Sequence, residues 1–154
     1  MRAWYDILAL DRSVAEDESG IRESANAVDR LVNREVERGL VEARVVVAGF
    51  SQGGAVVLHA GLRHPKPLGG ILALSTYLPL AEQCAAEVSE NARELPIWMG
   101  HGTYDPVIDI ALAERSRDWL VQAGMQVEWH SYPMQHSVSA QEIADISEWL
   151  ARFA

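Results

Sequence analysis

The chain has few of the residues that would cross-link it or hold it in a bilayer. Its 154 residues include a single cysteine, Cys84, which excludes an internal disulfide and favours a reducing compartment. No apolar run approaches the ~18 residues that a membrane span requires. The first six residues contain no apolar core of a signal peptide. We therefore expect a cytoplasmic protein without a transmembrane segment.

The sequence also lacks the residue spacings typical of metal sites and the glycine-rich loops that bind phosphates. No two histidines or cysteines fall at metal-ligand spacing on one predicted element, and no glycine-rich loop of the dinucleotide or P-loop type occurs. The formal net charge is −9, which repels nucleic-acid phosphates and anionic lipid headgroups. The sequence therefore predicts no cofactor, no metal, no nucleic-acid partner and no membrane partner.

What the chain does contain is an alternation of helical and strand patterns. Apolar residues three and four apart predict an amphipathic helix from Glu18 to Gly39, and the β-branched run over residues 44–49 predicts a strand buried on both faces. Further strands are predicted at 70–74, 95–99 and 126–132, and further helices at 53–62, at 109–123 behind an Asp109 cap, and from about 139. This order predicts one α/β domain over residues 1–154 with a mostly parallel sheet. The inner face of the last helix is expected to carry Ile143, Ile146, Trp149, Leu150 and Phe153.

The run Gly49-Phe50-Ser51-Gln52-Gly53 matches the G-x-S-x-G pattern of a nucleophile elbow. Chance supplies such a match in roughly one chain in twenty of this length, but here it joins a predicted strand to a predicted helix, as the elbow requires. The flanking glycines would give the turn the space it needs, and the helix N-terminus would favour an oxyanion. Ser51 is the predicted nucleophile, and the Gln52 N–H is a predicted oxyanion donor. The plain alternative is an ordinary turn with a serine N-cap.

A serine nucleophile needs a base, and five histidines compete for that role. His59 and His64 lie in or just beyond the helix after the elbow, and His130 lies within a strand. His101 comes before the candidate acids, which is the wrong order for the base in this class of site. His136 follows the fourth strand and fits in both order and place, so it is the predicted base.

The acid that orients this base should follow the third strand. Two aspartates lie there, Asp105 and Asp109. Asp109 stands where a helix N-cap belongs, which explains it without catalysis. Asp105 lies in the loop, stiffened by Pro106, and is the predicted orienter of His136.

Four segments in this order resemble one known family. The elbow over residues 48–55, residues 72–79, the acid loop over 101–107 and the histidine loop over 132–138 are similar to bacterial carboxylesterases related to acyl-protein thioesterases and lysophospholipases. Trp4-Tyr5-Asp6-Ile7 also matches a segment of that family. The resemblance implies an α/β-hydrolase without a cofactor that hydrolyses short- or medium-chain esters, or thioesters, through Ser51, Asp105 and His136. Leu78, Val107 and Val138 are candidate acyl-pocket residues, or simply core.

The sequence departs from that family at its start. Family members have earlier strands and a His-Gly-Leu-Gly loop that supplies a second oxyanion donor, whereas the only His-Gly pair here, His101-Gly102, belongs to the acid loop. Without a pairing strand, residues 44–49 would form an apolar sheet edge. We therefore expect a homo-oligomer, or a rearranged N-terminal segment, to cover that edge. The alternative function is a shortened, largely inactive hydrolase module held together by self-association.

Overall fold

A parallel sheet is the centre of the structure, a computed structural model that describes residues 4–6 and 16–153. Its four strands, in the described residues, are β1 (Val46–Phe50), β2 (Gly70–Leu74), β3 (Pro96–Gly102) and β4 (Gln126–Tyr132). They lie side by side in the order in which they occur along the chain, and every neighbouring pair is parallel. Parallel order brings the carboxyl ends of all four strands to one edge of the sheet.

Five helices connect and flank these strands: α1 (Glu18–Glu37), α2 (Gln52–Arg63), α3 (Ala81–Glu87), α4 (Ile110–Gln122) and α5 (Ala140–Leu150). Short 3₁₀ turns occupy Glu42–Arg44, Glu90–Arg93 and Ala151–Phe153. None of the helices in the described part of the chain combines the length and apolar character needed to cross a bilayer. The one cysteine, Cys84, is a buried free thiol on α3.

The two faces of the sheet carry unequal cores. The larger core lies under α1, α2 and α4, where Ile21, Leu58 and Leu120 pack against Ile71 and Ile97 of the sheet. On the opposite face α5 places Trp149 against a smaller cluster that contains Leu72, Trp98 and Tyr132. Helices on both faces explain why β1 and β2 are apolar throughout, whereas β4, the last strand in the described sheet, carries polar residues such as Glu128 and His130.

The sequence predicted most of these elements, and the caps explain where two helices begin. Asp17 accepts a hydrogen bond from the Gly20 N–H at 2.9 Å, and Asp109 accepts one from the Ala111 N–H at 2.8 Å, so both aspartates are N-caps. Gly39, at φ +100°, lies just past the end of α1 in the left-handed conformation that glycine adopts most easily.

Two sequence-based expectations were wrong. The third strand ends at Gly102, three residues later than predicted, and it therefore includes His101. The predicted inner face of the last helix was right at Ile146, Trp149 and Phe153, which lie in or against the smaller core, and wrong at Ile143 and Leu150, which are 55% and 39% exposed. In place of Ile143 the helix buries Glu142, whose carboxyl occupies the space against the sheet.

β1, the strand that directly precedes Ser51, lies at one edge of the described sheet. β1 pairs with β2 on one side and with no other strand among residues 4–6 and 16–153. Beside it runs a groove of about 590 Å³ between β1 and α1, lined almost entirely by apolar side chains, with Glu35 as its only charged residue. Ala48 and Phe50 are exposed along this edge, so β1 lacks the charged residues that usually protect an edge strand.

Candidate active site

The turn between β1 and α2 holds Ser51 in an unusual backbone conformation. Its φ is 55° and its ψ is −121°, a region that residues with a side chain rarely adopt. The Ser51 N–H donates to the carbonyl of Leu74 at 2.9 Å, and its own carbonyl accepts from the Thr76 hydroxyl at 2.7 Å. The side chain makes no capping hydrogen bond. The alternative of a plain serine N-cap therefore does not describe this turn.

The glycines of the elbow have different roles. A Cβ on Gly49 would lie 2.2 Å from the backbone oxygen of Gly53, so only glycine fits there. A Cβ on Gly53 would meet nothing closer than Trp4 Nε1 at 3.8 Å. The residue after the motif is the second one under constraint, because a Cβ on Gly54 would lie 2.7 Å from the Thr76 side chain. The expected steric need therefore holds for Gly49 and not for Gly53.

Ser51, His136 and Asp105 lie in one hydrogen-bonded line at the carboxyl ends of three strands. The Nε2 atom of His136 is 3.0 Å from Ser51 Oγ, and its Nδ1 is 2.7 Å from Asp105 Oδ2. The His136 side chain is 17% exposed and that of Asp105 is fully buried. The structure thus brings together the three residues that the sequence predicted, although 85 positions separate Ser51 from His136 in the chain.

The Asp105 carboxylate is held by its own loop. Its Oδ1 accepts from the N–H groups of Val107 at 2.8 Å and Ile108 at 2.9 Å. Burial raises the pKa of this carboxyl, but the hydrogen bonds from His136 and from these two N–H groups outweigh burial, so the pKa lies below its usual value. Asp105 therefore stays ionised beside the histidine that it contacts.

His101 belongs to the environment of this acid, a role that the sequence argument missed. It lies on β3, is 1% exposed and stacks at 6.3 Å on Trp129. Its Nε2 is 2.9 Å from the carbonyl of Ile108 and 3.4 Å from Asp105 Oδ2. With the proton on Nε2, His101 ties the end of the acid loop to the strand. The spacing of four residues between His101 and Asp105 is the sequence signal that could have indicated this contact.

Phe50 is a second residue near the site that the sequence did not single out. Its ring centroid lies 4.8 Å from that of His136 at 50°, and the residue is 37% exposed. It occupies the variable position before Ser51 in the elbow pattern. Its ring packs beside the imidazole and leaves an apolar surface at the mouth of the site.

The start of α2 provides donors for an oxyanion. The first hydrogen bond within this helix runs from the Ala55 N–H to the Ser51 carbonyl, so the N–H groups of Gln52 to Gly54 precede the helical ladder. The Gln52 side chain is directed away, because its Nε2 donates to the carbonyl of Tyr5 at 2.8 Å. This bond fastens the Trp4–Asp6 segment to the elbow. Ile7, which completes the quoted segment, lies outside the described residues.

The three candidate pocket residues lie in different surroundings. Leu78 is 1% exposed and packs in the larger core, so its side chain has no access to a substrate in this structure. Val107 is 46% exposed and Val138 is 41% exposed, each two residues from a member of the hydrogen-bonded line. Val107 lines a cavity of about 550 Å³ beside the acid loop, together with Asp105 and Arg115.

No metal centre is formed by the described side chains: no group of three or more His, Cys, Asp or Glu residues within 4–6 and 16–153 is arranged as ligands would be. The arrangement present is that of a serine, a base and a buried carboxylate. Such a set can transfer a proton from the serine hydroxyl and accept an acyl group on its oxygen.

Comparison with known proteins identifies the class. Residues 1–153 match the Phospholipase/Carboxylesterase family, and the chain belongs to it. The chain is 40% identical over 167 residues to Acyl-protein thioesterase 1 of Cryptococcus neoformans, covering 97% of this chain and 70% of that protein. It is 33% identical to Carboxylesterase SOBER1 of Arabidopsis thaliana, over 99% of this chain and 68% of the relative. The chain is accordingly a hydrolase of the carboxylesterase class.

Solved structures give the same result for the fold. The crystal structure of Arabidopsis thaliana SOBER1 superimposes with a TM-score of 0.91 at 30% identity, covering 99% of this chain and 74% of that one. Acyl-protein thioesterase 2 of Zea mays superimposes with a TM-score of 0.86 at 25% identity, over 98% and 72%. The fold is therefore that of the α/β-hydrolases. These relatives are fungal and plant proteins, so the resemblance holds for the family and does not single out its bacterial members.

The elbow geometry predicts unequal effects of alanine at its two glycines. Gly49→Ala should lower the free energy of unfolding by about 3 kcal/mol, because its Cβ would press on backbone that cannot move aside. Gly53→Ala, the matched control, should leave stability within about 1 kcal/mol of the parent or raise it, since alanine favours helix. Urea unfolding of both variants measures the difference. Equal losses would contradict this description of the elbow.

Proposed function

We propose that the protein is a serine carboxylesterase that hydrolyses short- to medium-chain esters, and also thioesters, through an acyl-enzyme on Ser51. The observation that carries the proposal is the hydrogen-bonded line from Ser51 Oγ through His136 to Asp105, with contacts of 3.0 and 2.7 Å. A serine hydroxyl becomes an effective nucleophile when a base of this geometry removes its proton. Membership of the carboxylesterase class supports the same reaction.

In the proposed reaction, His136 Nε2 takes the Ser51 proton as Oγ attacks the substrate carbonyl carbon. The carbonyl oxygen becomes an anion at the N-terminus of α2, where the Gln52 N–H donates to it. The tetrahedral intermediate collapses as His136 gives its proton to the departing alkoxide or thiolate. Water then attacks the acyl-enzyme with the same base, releasing a carboxylic acid and restoring the serine. Asp105 fixes the imidazole tautomer and stabilises the imidazolium without taking a proton.

The surroundings of Ser51 favour an apolar acyl group. Phe50, Val107 and Val138 are all partly exposed apolar side chains near the hydrogen-bonded line. Relatives of this chain are named as acyl-protein thioesterases and as a carboxylesterase, so the proposal includes both oxygen and sulfur esters. We place the enzyme in the cytoplasm, where the buried Cys84 thiol stays reduced.

The nucleophile can be tested by covalent labelling. A fluorophosphonate should label Ser51, and a p-nitrophenyl ester should give a burst of nitrophenol as the acyl-enzyme forms. Ser51→Ala should abolish labelling and lower turnover by about 10⁶-fold. Ser137→Ala, which removes an exposed hydroxyl next to His136, is the control and should keep both. An inactive hydrolase module would show neither label nor burst, and full activity in Ser51→Ala would mean that another residue is the nucleophile.

Asp105→Asn tests the orienting carboxylate. The amide would no longer select the His136 tautomer with its proton on Nδ1, so kcat should fall on the order of 10⁴-fold while the fold remains. Asp109→Asn is the matched control, because Asp109 is a cap whose side chain accepts only from the Ala111 N–H. It should cost about 1 kcal/mol of stability or less and leave kcat unchanged. Comparable losses of kcat in both variants would contradict the assignment.

We also propose that a second copy of this chain covers the open edge of β1. The groove there is apolar, and it exposes Trp4 at 51% and Leu31 at 55% beside the unpaired face of the strand. An edge strand can pair with the same strand of another copy around a twofold axis, which satisfies both sets of backbone groups. Such pairing would remove the largest apolar surface that borders the nucleophile strand.

Sedimentation tests this self-association. The parent protein should sediment as a dimer at micromolar concentration, and Leu31→Glu should shift it toward monomer by placing a charge in the groove next to Glu35. Val121→Glu adds the same charge at a residue that is 52% exposed on α4, outside the groove, and should leave the dimer intact. A monodisperse parent monomer with β1 open to solvent would contradict the proposal.

A further inference from the structure

The first turn of α5 carries a carboxyl group in an unusual environment. Glu142 is 0% exposed, and neither of its side-chain oxygens has a hydrogen-bond partner among residues 4–6 and 16–153. An acidic side chain is almost never fully buried unless it is paired. No step of the proposed hydrolysis uses this group, so its burial needs another explanation.

The carboxyl of Glu142 lies directly against β3. A Cβ built on Gly100 would be 2.4 Å from Glu142 Oε1 and 2.4 Å from a ring carbon of Trp98. The glycine therefore leaves the space that the carboxyl and the edge of the indole fill together. Trp98 Nε1 is likewise buried without a partner in the described part of the chain. Glu142 thus docks the start of α5 onto the strand through a contact that a longer side chain at position 100 would destroy.

A capping box would be the simpler explanation of this residue. Ser139-x-x-Glu142 has the required spacing, and the Ser139 hydroxyl does accept from the Glu142 N–H at 3.1 Å. The reciprocal half is not made: the Ser139 N–H faces the carboxyl and lowers its pKa, but no hydrogen bond of ordinary geometry joins them. A capping box would also hold the carboxylate ionised at the helix N-terminus, at the surface.

The charges around Glu142 favour its neutral form. Burial raises the pKa of this carboxyl to about 7, the nearby Ser139 N–H opposes the rise, Asp145 on the same helix adds to it, and His130 of β4 opposes it. His130 is itself engaged, since its Nε2 contacts Glu128 at 3.1 Å and its ring stacks on Trp98 at 4.9 Å. Asp145 accepts from the Tyr132 hydroxyl at 2.7 Å. No cation is placed to hold an ionised Glu142 among these neighbours.

The contact with Gly100 connects Glu142 to all parts of the candidate site. Gly100 immediately precedes His101 and the acid loop, and its carbonyl accepts from the Ser75 N–H at 2.8 Å. Ser75 follows Leu74, whose carbonyl accepts from the Ser51 N–H. On the helix side, Glu142 is six residues after His136, at the end of the same loop. The first turn of α5 and the loop that carries His136 are thus continuous in the chain, and the Gly100 contact joins them to the strand that precedes the acid loop.

We propose that Glu142 is a positioning residue that holds the His136 loop in register with Ser51 while its carboxyl is protonated, and releases the loop when it ionises. The inference rests on the proposed function of the Ser51–His136–Asp105 line. An ionised carboxylate needs water or donors that the site against Gly100 and Trp98 does not supply. The first turn of α5 must then leave the strand to hydrate it, and the hydrogen bond from His136 to Ser51 lengthens.

Ionisation of Glu142 also predicts how the stability of the folded protein changes with pH. The unfolded chain loses the Glu142 proton near the ordinary value of 4.5, whereas the folded chain keeps it to about 7. Between these two values the folded state binds more protons, so this group makes the protein less stable as the pH rises from 4.5 to 7 and adds no further change above. A lowered pKa, as in a capping box, would give the opposite slope.

Glu142→Gln keeps the size of the side chain and stays neutral at every pH, and Glu148→Gln removes an exposed carboxyl of the same helix as the matched control. For the parent and the control, kcat with a p-nitrophenyl ester should decline above pH 7, by up to tenfold per pH unit as one ionisation requires. In Glu142→Gln this alkaline decline should be absent, while KM stays unchanged. A decline of the same midpoint in all three proteins would overturn the proposal.

Two readouts keep the test independent of turnover. The nitrogen chemical shift of His136 Nε2, the atom bonded to Ser51, should differ between the parent and Glu142→Gln above pH 7 and agree below it, and Glu148→Gln should follow the parent. Relative to Glu142→Gln, the parent and Glu148→Gln should lose thermal stability as the pH rises from 4.5 to 7, because only these two proteins retain the Glu142 carboxyl. If these signals appear without esterase activity, the proposed function fails and the role of Glu142 stands. If Glu142→Gln does not fold, the parent alone decides: a His136 Nε2 chemical shift that is the same below and above pH 7 overturns the proposal.

Discussion

The backbone of Ser51 is the constraint on which the rest of the site depends. A residue with φ at 55° persists only when its surroundings hold it there. Two neighbours do so: the Leu74 carbonyl fixes its N–H, and the Thr76 hydroxyl fixes its carbonyl. Both belong to the end of β2 and the loop after it. The proposed nucleophile is therefore positioned by the neighbouring parallel strand as much as by its own.

Parallel strand order extends this positioning to the other two residues. Ser51 follows β1, Asp105 follows β3 and His136 follows β4, so the ends of these three parallel strands bring the proposed nucleophile, acid and base to one edge of the sheet. This is why the sequence was sufficient to select them: the strand patterns gave the edge, and the order of residues along the chain gave the roles. The N-cap at Asp109 was equally predictable, because a cap depends only on residues two or three positions away.

Features set by contacts between distant elements could not be read in this way. The i, i+3, i+4 spacing of α5 predicted Ile143 on its buried face, but the helix is rotated so that Glu142 faces β3. That rotation depends on the space above Gly100, and a helical pattern carries no information about a glycine on another element. The contact between His101 and Asp105 was not predicted for a related reason, because it depends on how the acid loop folds back over β3.

Asp105 and Glu142, two buried carboxyls in the described part of the chain, show that hydrogen-bond donors decide whether the effect of burial on a pKa is offset. Asp105 receives hydrogen bonds from His136 and from two backbone N–H groups, and its pKa is lowered. Glu142 has only the Ser139 N–H near its carboxyl, without a hydrogen bond of ordinary geometry, and burial raises its pKa. A site built for proton transfer needs the first carboxyl charged beside the histidine, where it favours the imidazolium. The second gains from being neutral, because only an uncharged carboxyl can fill the apolar space that joins the histidine loop to the sheet.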